Sequence, residues 1–406
     1  MRSDVRRVLA IGVVDVAQLA NSARRAGYDV YAVDYYGDQD LNKSCSANLS
    51  LAGRRGGRPQ SGIFSRLLPE ALLELARELD NDYAIDASLL ASGLDDFPEV
   101  LSELNHSIPI LGNSPDLFLK VRDKPKFYAG VERLGVPCPE TVLAHNSEEA
   151  KRASRDIGFP LLLKPGKGFG GLEIRKVSNA EELDHALRTV RRMKTCVQVQ
   201  EYVSGTHASA SVISVPGKAL TLVVSEQLLG VSKVGQKEPF GYCGNIVPLS
   251  APPDIIDKCR DVAERTVSYF GLIGSNGVDI VISEQGTPHV IEVNPRFQGT
   301  IECVERVLGL NVVEAHVRAC VDGSLPAVPK EPTKSCIRLI LFAKQRSAAP
   351  DLSALNECRD VPSPETVVEE GEPLCSILLE GQGRDALLEG AKQISRSIYS
   401  SLSSVN

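Results

Sequence analysis

No apolar run in this 406-residue chain approaches the roughly 18 residues that a membrane-spanning helix needs, so no membrane partner is expected. The N-terminus has a basic start (Arg2, Arg6, Arg7) and a short apolar run, Val8 to Val14. A signal peptide begins in that order, but Asp15 closes the run early, and a first buried strand is the expected reading. The ten cysteines contain no CxxC pair, and the closest two are 16 apart. Zinc ribbons and dithiol redox motifs are therefore not expected, and scattered thiols in a chain of this length fit a reduced, cytoplasmic setting. None of the six histidines falls in HxH, HxxH or HExxH spacing, which argues against zinc. The chain also lacks a basic excess: 45 basic against 52 acidic residues give a net charge of -7. A general nucleic-acid binder is excluded on that balance, while a local basic pocket for a small anion is not.

Two nucleotide fingerprints are absent as well. The first strand is followed by Gly12-Val13-Val14-Asp15-Val16-Ala17, with an acid where GxGxxG would place a pyrophosphate. Gly166-Lys167-Gly168 is not followed by Ser or Thr, so it is not a Walker A loop.

What is present is organised. At about 150 residues per domain the length predicts two or three domains, with enough core to need no staples. The first 113 residues alternate strand and helix: strands at Arg7–Gly12, Asp29–Asp34 and Tyr83–Asp86, helices at Val16–Ala26, Pro69–Leu79 and Phe97–Asn105, then a short strand at Pro109–Leu111. Such alternation predicts a parallel, doubly wound sheet. The tract 52–61, with Arg54, Arg55 and Arg58, reads as an exposed loop. Beyond Ser114, helices are expected at Asp116–Leu134, Ser147–Ile157, Ala180–Met193, Pro253–Phe270 and Val312–Val321. Strands are expected at Pro160–Lys164, Cys196–Glu201, Ala208–Val215 and Ala219–Ser225, and Gly230–Val247 reads as a long loop. Past a Pro-rich linker at Pro326–Pro332, Ile337–Ala343 and Pro373–Leu379 predict strands of a small final module.

The strongest chemical signal is a hairpin, Gly277–Ser283 and His289–Asn294, turning at Gln285–Gly286. That turn sets Asp279 opposite Glu292, with Asn294 on the same face. Directly opposed like charges destabilise a sheet pair, so two acids and an amide there either call for a cation or form a solvated polar face. Oxygen-only ligands suit Mg²⁺. Second, Lys164 closes an apolar strand and is followed by Gly166, Gly168, Gly170 and Gly171. Glycine lets backbone N–H groups approach an anion; a flexible turn is the alternative. Third, Val199-Gln200-Glu201-Tyr202-Val203-Ser204-Gly205 reads as an ordinary edge or as a hinge whose backbone meets an adenine. Fourth, Arg122-Asp123-Lys124 reads as a surface charge cluster.

In this order the segments resemble the ATP-grasp superfamily, with biotin carboxylase and carboxylate–amine ligases as relatives, over roughly residues 1–330. Gly371-Glu372-Pro373-Leu374-Cys375 also resembles the small C-terminal module of some members. The resemblance implies an α/β and α+β architecture in four parts: a Rossmann-like domain over 1–113, N- and C-terminal lobes gripping ATP over 114–195 and 196–330, and a module over 331–406. It implies that Lys124 and Lys164 contact ATP phosphates and that Gly168, Gly170 and Gly171 form the phosphate lid. Glu201, Tyr202 and Val203 would hold the adenine, and Asp279, Glu292 and Asn294 would ligate Mg²⁺, with Mn²⁺ as an alternative. Arg296, with Lys164, would serve the reacting phosphoryl or acyl group. Many relatives carry a ribose-binding Glu where this chain has His207. The loop 230–247, with Lys233, Lys237, Phe240, Tyr242 and Asn245, is a candidate substrate loop or lid. The implied activity is ADP-forming ligation of a carboxylate to an amine, with small-molecule substrates and a homodimer allowed. A bicarbonate-using carboxylase and a non-catalytic nucleotide-binding regulator are the alternatives; an NAD-dependent oxidoreductase is disfavoured by the missing glycines.

Overall fold

Four short strands, β1 (Arg7–Ile11), β2 (Asp29–Asp34), β3 (Ala47–Ser50) and β4 (Ala87–Leu90), form a parallel sheet in the order β3-β2-β1-β4. The coordinates are a computed structural model that describes residues 5–54, 69–190, 196–327 and 331–405. Arg2, Arg55 and Arg58, the end of the expected 180–193 helix, and residues 328–330 of the linker lie outside the described residues. The expected doubly wound sheet is present, with two adjustments. The helix Pro69–Tyr83 runs past Leu79, and the strand expected at 83–86 begins at Ala87. Ala84 takes a left-handed φ of 50° just after the helix, and the Asp86 carboxylate receives the Arg6 and Arg7 backbone N–H groups at 2.8 and 2.7 Å. β3 was not expected, because its alternation, Ala47-Asn48-Leu49-Ser50, is only four residues long and half-buried throughout. In parallel sheets of this kind ligands collect beyond the C-terminal strand ends. Asp15 follows β1 there, and Asp95 and Asp96 follow β4.

The next sheet is antiparallel. Strands β5 (Thr141–Ala144), β6 (Leu161–Pro165), β7 (Arg175–Val177) and β8 (Val197–Glu201) take the order β5-β8-β6-β7. Leu161, Leu163, Val197 and Val199 are buried with Ala150 and Leu183 from the helices Ser147–Ile157 and Ala180–Val190. The helix expected over 116–134 is two helices, Pro115–Arg122 and Lys124–Arg133. Asp123, at ψ 90°, leaves the helical region, and its carboxylate caps the Lys126 N–H at 3.2 Å. Pro125, which cannot continue a helix interior, sits in the first turn of the second helix.

The largest sheet has eight strands: β9 (Gly205–Val215), β10 (Lys218–Leu229), β11 (Tyr242–Val247), β12 (Gly274–Ser283), β13 (Pro288–Asn294), β14 (Ser335–Phe342), β16 (Cys358–Arg359) and β18 (Pro373–Gly381). Their order is β13-β12-β9-β10-β11-β14-β18-β16. β15 (Ser347–Ala348), β17 (Val367–Val368) and β19 (Ser403–Ser404) pair separately. β14 hydrogen-bonds to β11, so the strands after residue 331 continue the sheet of the preceding lobe. The last six residues of the expected 230–247 loop are therefore strand, β11. β11 lies between β10 and β14 with most of its residues buried, which erases the alternation that would mark a half-exposed strand. The helices Ile301–Leu308 and Arg384–Ser401 were also not anticipated.

One buried histidine ties two parts of the chain together. His316, on the helix Val312–Asp322, accepts the Ser275 N–H at Nδ1 (2.8 Å) and donates from Nε2 to the Leu111 carbonyl (2.8 Å). Both nitrogens are satisfied only in the neutral ring, and burial pushes the pKa down to about 4. A depressed histidine pKa gives stability that is present above the ordinary value and is lost as pH falls. Unfolding free energy should drop by about 2 kcal/mol between pH 7 and 5 from this group. Urea titrations of wild type and His316→Gln check it: the variant should lose that part of the slope, and equal slopes would contradict the assignment.

Candidate active site

The β12–β13 hairpin forms with the expected pairs Asp279–Glu292 and Gly277–Asn294, while on the turn side of a shift between Asp279 and Ile280 the pairing runs one residue off the expected one, Ile280 with Val290. Asn294 Nδ2 donates to Asp279 Oδ2 at 3.1 Å, so amide and carboxylate share a face. Ser209 Oγ and Gln227 Nε2, from β9 and β10, each donate to Asp279 Oδ1 at 2.9 Å. Glu292 is met by cations instead: Arg122 Nη1 at 2.6 Å and Lys124 Nζ at 3.0 Å.

Arg122-Asp123-Lys124 is thus not the surface cluster its composition suggests. The side chains of Arg122 and Lys124 are only 12% and 7% exposed. The backbone break at Asp123 lets both reach the hairpin. Arg122 also donates to Asp96 (Nε to Oδ1, 2.7 Å), and Arg296 holds Asp95 through Nε at 3.0 and 3.2 Å. Arg296 Nη2 reaches Asn294 Oδ1 at 3.4 Å. Residues 95 and 96 thereby join the N-terminal domain to the hairpin. No motif in the sequence marks them; position after a parallel strand is the one available signal.

Like and unlike charges set the titration of the cluster. Burial and the neighbouring Glu292 charge raise the Asp279 pKa to about 6. Burial alone would also raise that of Glu292, but Lys124 and Arg122 hold it well below the usual carboxylate range. Burial, with the adjacent Lys124 charge, lowers Lys164 to about 8 and outweighs the pull of Glu292 and Asp279. Lys124 is lowered too, mainly by burial. Arg122, Lys124, Lys164 and Arg296 stand against Asp95, Asp96, Asp279 and Glu292, so the cluster is balanced in formal charge, and Lys164 is the cation of the four with no ion pair among the described residues.

The glycine-rich segment touches both Asp96 and β11. Gly168 N–H donates to Asp96 Oδ2 at 3.1 Å, and the Gly170 carbonyl accepts from Tyr242 N–H at 2.9 Å. Gly171 has φ 73°, and a Cβ there would overlap the Phe240 carbonyl oxygen, so this contact with the 230–247 segment requires glycine. Glu201, Tyr202 and Val203 lie at the connection from β8 to β9. Glu201 is exposed and its Oε2 accepts the Glu140 N–H at 3.2 Å; Lys176 Nζ stands 3.7 Å from the Tyr202 ring centroid. Gly205 opens β9, and a side chain at it would strike the Ile282 carbonyl of β12. His207 follows on β9 opposite Val281, with its pKa lowered by burial and by Lys164.

Asp279 and Glu292 carboxylate oxygens and Asn294 Oδ1 make an oxygen-only donor set on one hairpin face. Among the described residues no group of three or more His, Cys, Asp or Glu is placed to hold a metal. Two carboxylates and an amide still fit Mg²⁺, which keeps several waters and takes other oxygens from phosphate.

The fold is similar to that of ATP-grasp proteins. Residues 121–300 match the ATP-grasp domain family model. The chain is similar to an uncharacterized protein of Methanocaldococcus jannaschii, 25% identical over 401 residues (97% of this chain, 91% of that one). It is also similar to the carbamoyl phosphate synthase large chain of Pseudomonas aeruginosa, 28% identical over 227 residues, or 54% of this chain. It spans about a fifth of that protein's length, the match covering 20% of it. Among solved structures, biotin carboxylase of Campylobacter jejuni in complex with β,γ-ATP superposes with TM-score 0.76 at 17% identity, covering 96% of this chain and 90% of that one. The biotin carboxylase domain of Hydrogenobacter thermophilus 2-oxoglutarate carboxylase, with MgADP, ADP and bicarbonate, gives 0.74 at 17% (98% and 90%). L-amino acid ligase of Bacillus licheniformis gives 0.69 at 16%, covering 99% of each chain.

Proposed function

We propose that the protein is an ADP-forming ligase that activates a small-molecule carboxylate with ATP and passes the acyl group to an amine. The observation that carries this reading is the Asp279–Glu292 register pair, with Asn294 on its face and Lys124, Lys164 and Arg296 around it. In the proposed reaction a carboxylate oxygen bonds to the γ-phosphorus as the bond to the β,γ-bridging oxygen breaks, giving ADP and an acylphosphate. The amine nitrogen then bonds to the acyl carbon, loses a proton, and phosphate departs. Phosphoryl transfer needs positioned charge more than covalent help. Lys124 and Lys164 are assigned to the phosphates, and Gly168, Gly170 and Gly171 to backbone contacts over them. Arg296 is assigned to the oxyanion that develops at the acyl carbon. Asp279, Glu292 and Asn294 would hold Mg²⁺, or Mn²⁺ in its place, which when bound neutralises charge on phosphate oxygens. Glu201, Tyr202 and Val203 are assigned to the adenine, and residues 1–113, 114–195, 196–330 and 331–406 to the four parts of the fold. The reading also takes the substrates to be small molecules met in the cytoplasm, by a protein free to form homodimers.

Phosphate release measured over carboxylates crossed with amines, bicarbonate included, tests the proposal. ADP should accumulate only where a carboxylate and an amine are both present. Turnover with bicarbonate as the sole acid would replace the reading with a carboxylase. ATP binding without turnover on any pair would replace it with a regulator.

A further inference from the structure

A second cavity lies away from the hairpin. It runs between the helix Val16–Arg25, the segment 39–44 and the loop 352–361, with a volume of ≈ 660 Å³. That size falls within the range of small-molecule sites. Gln18, Asn21, Arg24 and Arg25 face it from the helix, three and four residues apart, which puts them on one side. The far wall is anchored: Asp40 accepts the Asp360 and Val361 N–H groups at 2.9 and 3.0 Å, and Gln39 Nε2 donates to the Pro362 carbonyl at 2.8 Å.

The charges lining this cavity are not balanced within it. Asp40 is engaged by those backbone groups. Glu302 receives Arg359 Nη2 at 3.0 Å and Arg306 Nη2 at 2.9 Å, and Asp360 receives Arg338 Nη2 at 2.5 Å. Arg25 pairs with Glu305 outside the lining. Arg24 and Lys43 are left without a carboxylate partner among the described residues; the Arg24 guanidinium donates only to the Lys43 carbonyl. Two cations with neutral or no partners therefore stand at the mouth of an anchored, polar cavity.

Arg338 gives this cavity a second distinction. It is 5% exposed, and its two carboxylate partners, Asp15 and Asp360, both have left-handed backbones, φ 68° and 54°. Non-glycine residues in that region persist where the surroundings over-determine them, often around ligands. Arg338 Nη1 also donates to the Gly299 carbonyl at 2.8 Å, in the loop that follows Arg296. The cavity thus shares one buried arginine with the rim of the hairpin site.

We propose that this cavity is a second small-molecule site, taking a metabolite with an exposed oxyanion group against Arg24 and Lys43, distinct from the nucleotide phosphates. The intact protein can be titrated calorimetrically with inorganic phosphate and, separately, with citrate, which distinguishes a phosphate from a carboxylate headgroup. At least one probe should bind, weaken tenfold or more in Arg24→Ala/Lys43→Ala, and keep its affinity in Lys164→Ala. Both lining residues are at the surface or on it by one face, so circular dichroism and the unfolding midpoint of the double variant should match wild type. Binding that is lost in Lys164→Ala and kept in the double variant would put the anion in the nucleotide site and overturn the proposal. Failure of both probes to bind would also overturn it. Neither outcome depends on which ligation, if any, the protein catalyses.

Discussion

Glu292→Gln should reduce Mg²⁺-dependent ADP formation to roughly 1% of wild type or less, the scale expected when one positioned charge-stabilising group is removed. It should also destabilise the protein. Glu292 is the carboxylate shared by Arg122 and Lys124. Arg122 keeps Asp96, but among the described residues Lys124 has no other acid within ion-pair distance. A buried ammonium without its counter-charge costs several kcal/mol in a dry site. Glu292 is itself 30% exposed, and its loss relieves the repulsion on Asp279, so about 2 kcal/mol is the expected net loss. Coupled assay of ADP release and urea unfolding read the two effects separately. Unchanged turnover would remove Glu292 from the chemistry; unchanged stability would mean Lys124 sheds its proton at little cost.

The Asp279–Glu292 pair was legible because a strand alternates every two residues and the chain turns near Gln285–Gly286, but the pairing beside the turn (Ile282 with Pro288) runs one residue off, and the shift between Asp279 and Ile280 is what sets Asp279 opposite Glu292. Asp279, Glu292 and Asn294 came from that arithmetic alone. The cations around them did not. Arg122 and Glu292 are 170 residues apart, and nothing local to Arg122-Asp123-Lys124 distinguishes a buried ion pair from a solvated charge run. Arg338 is further still from its partner, 323 residues from Asp15. Its strand reads as apolar with one arginine, and the pairing appears only when β14 docks on β11. β11 escapes a reading by period because both of its faces are buried, and β3 because its alternation, Ala47-Asn48-Leu49-Ser50, is only four residues long. Helix ends were off where a capping or left-handed residue, Asp123 or Ala84, set the break. The ten cysteines, scattered in the sequence, are all free thiols in the structure.

Asp279→Asn should abolish the same activity while making the metal-free protein more stable, the opposite sign from Glu292→Gln. The carboxylate faces Glu292 across the register and is satisfied by neutral donors, Ser209, Gln227 and Asn294, and it has no cation in ion-pair contact among the described residues. Burial and the like charge favour its protonated form, which is why its pKa sits at about 6. A raised carboxyl pKa gives stability that is fully present below the ordinary value and is lost as pH rises through the folded one. At neutral pH wild type therefore carries a charge that its own fold disfavours. Asparagine keeps the shape, and its oxygen can still accept from Ser209 and Gln227. The Asn294 amide must turn to accept from the new NH₂, which gives up its 3.4 Å contact with Arg296. The variant should gain about 1–2 kcal/mol at pH 7, less than the full shift implies because of that lost contact. Urea unfolding in chelator at about pH 7.5 and about pH 4.5 should show the gap at the higher pH and its near-disappearance at the lower, where wild-type Asp279 is already protonated. A wild type more stable than the variant at both pH values would mean that the charged form is stabilised by the metal-free fold. The hairpin would then be a structural ion-pair network, with no cation required to complete it.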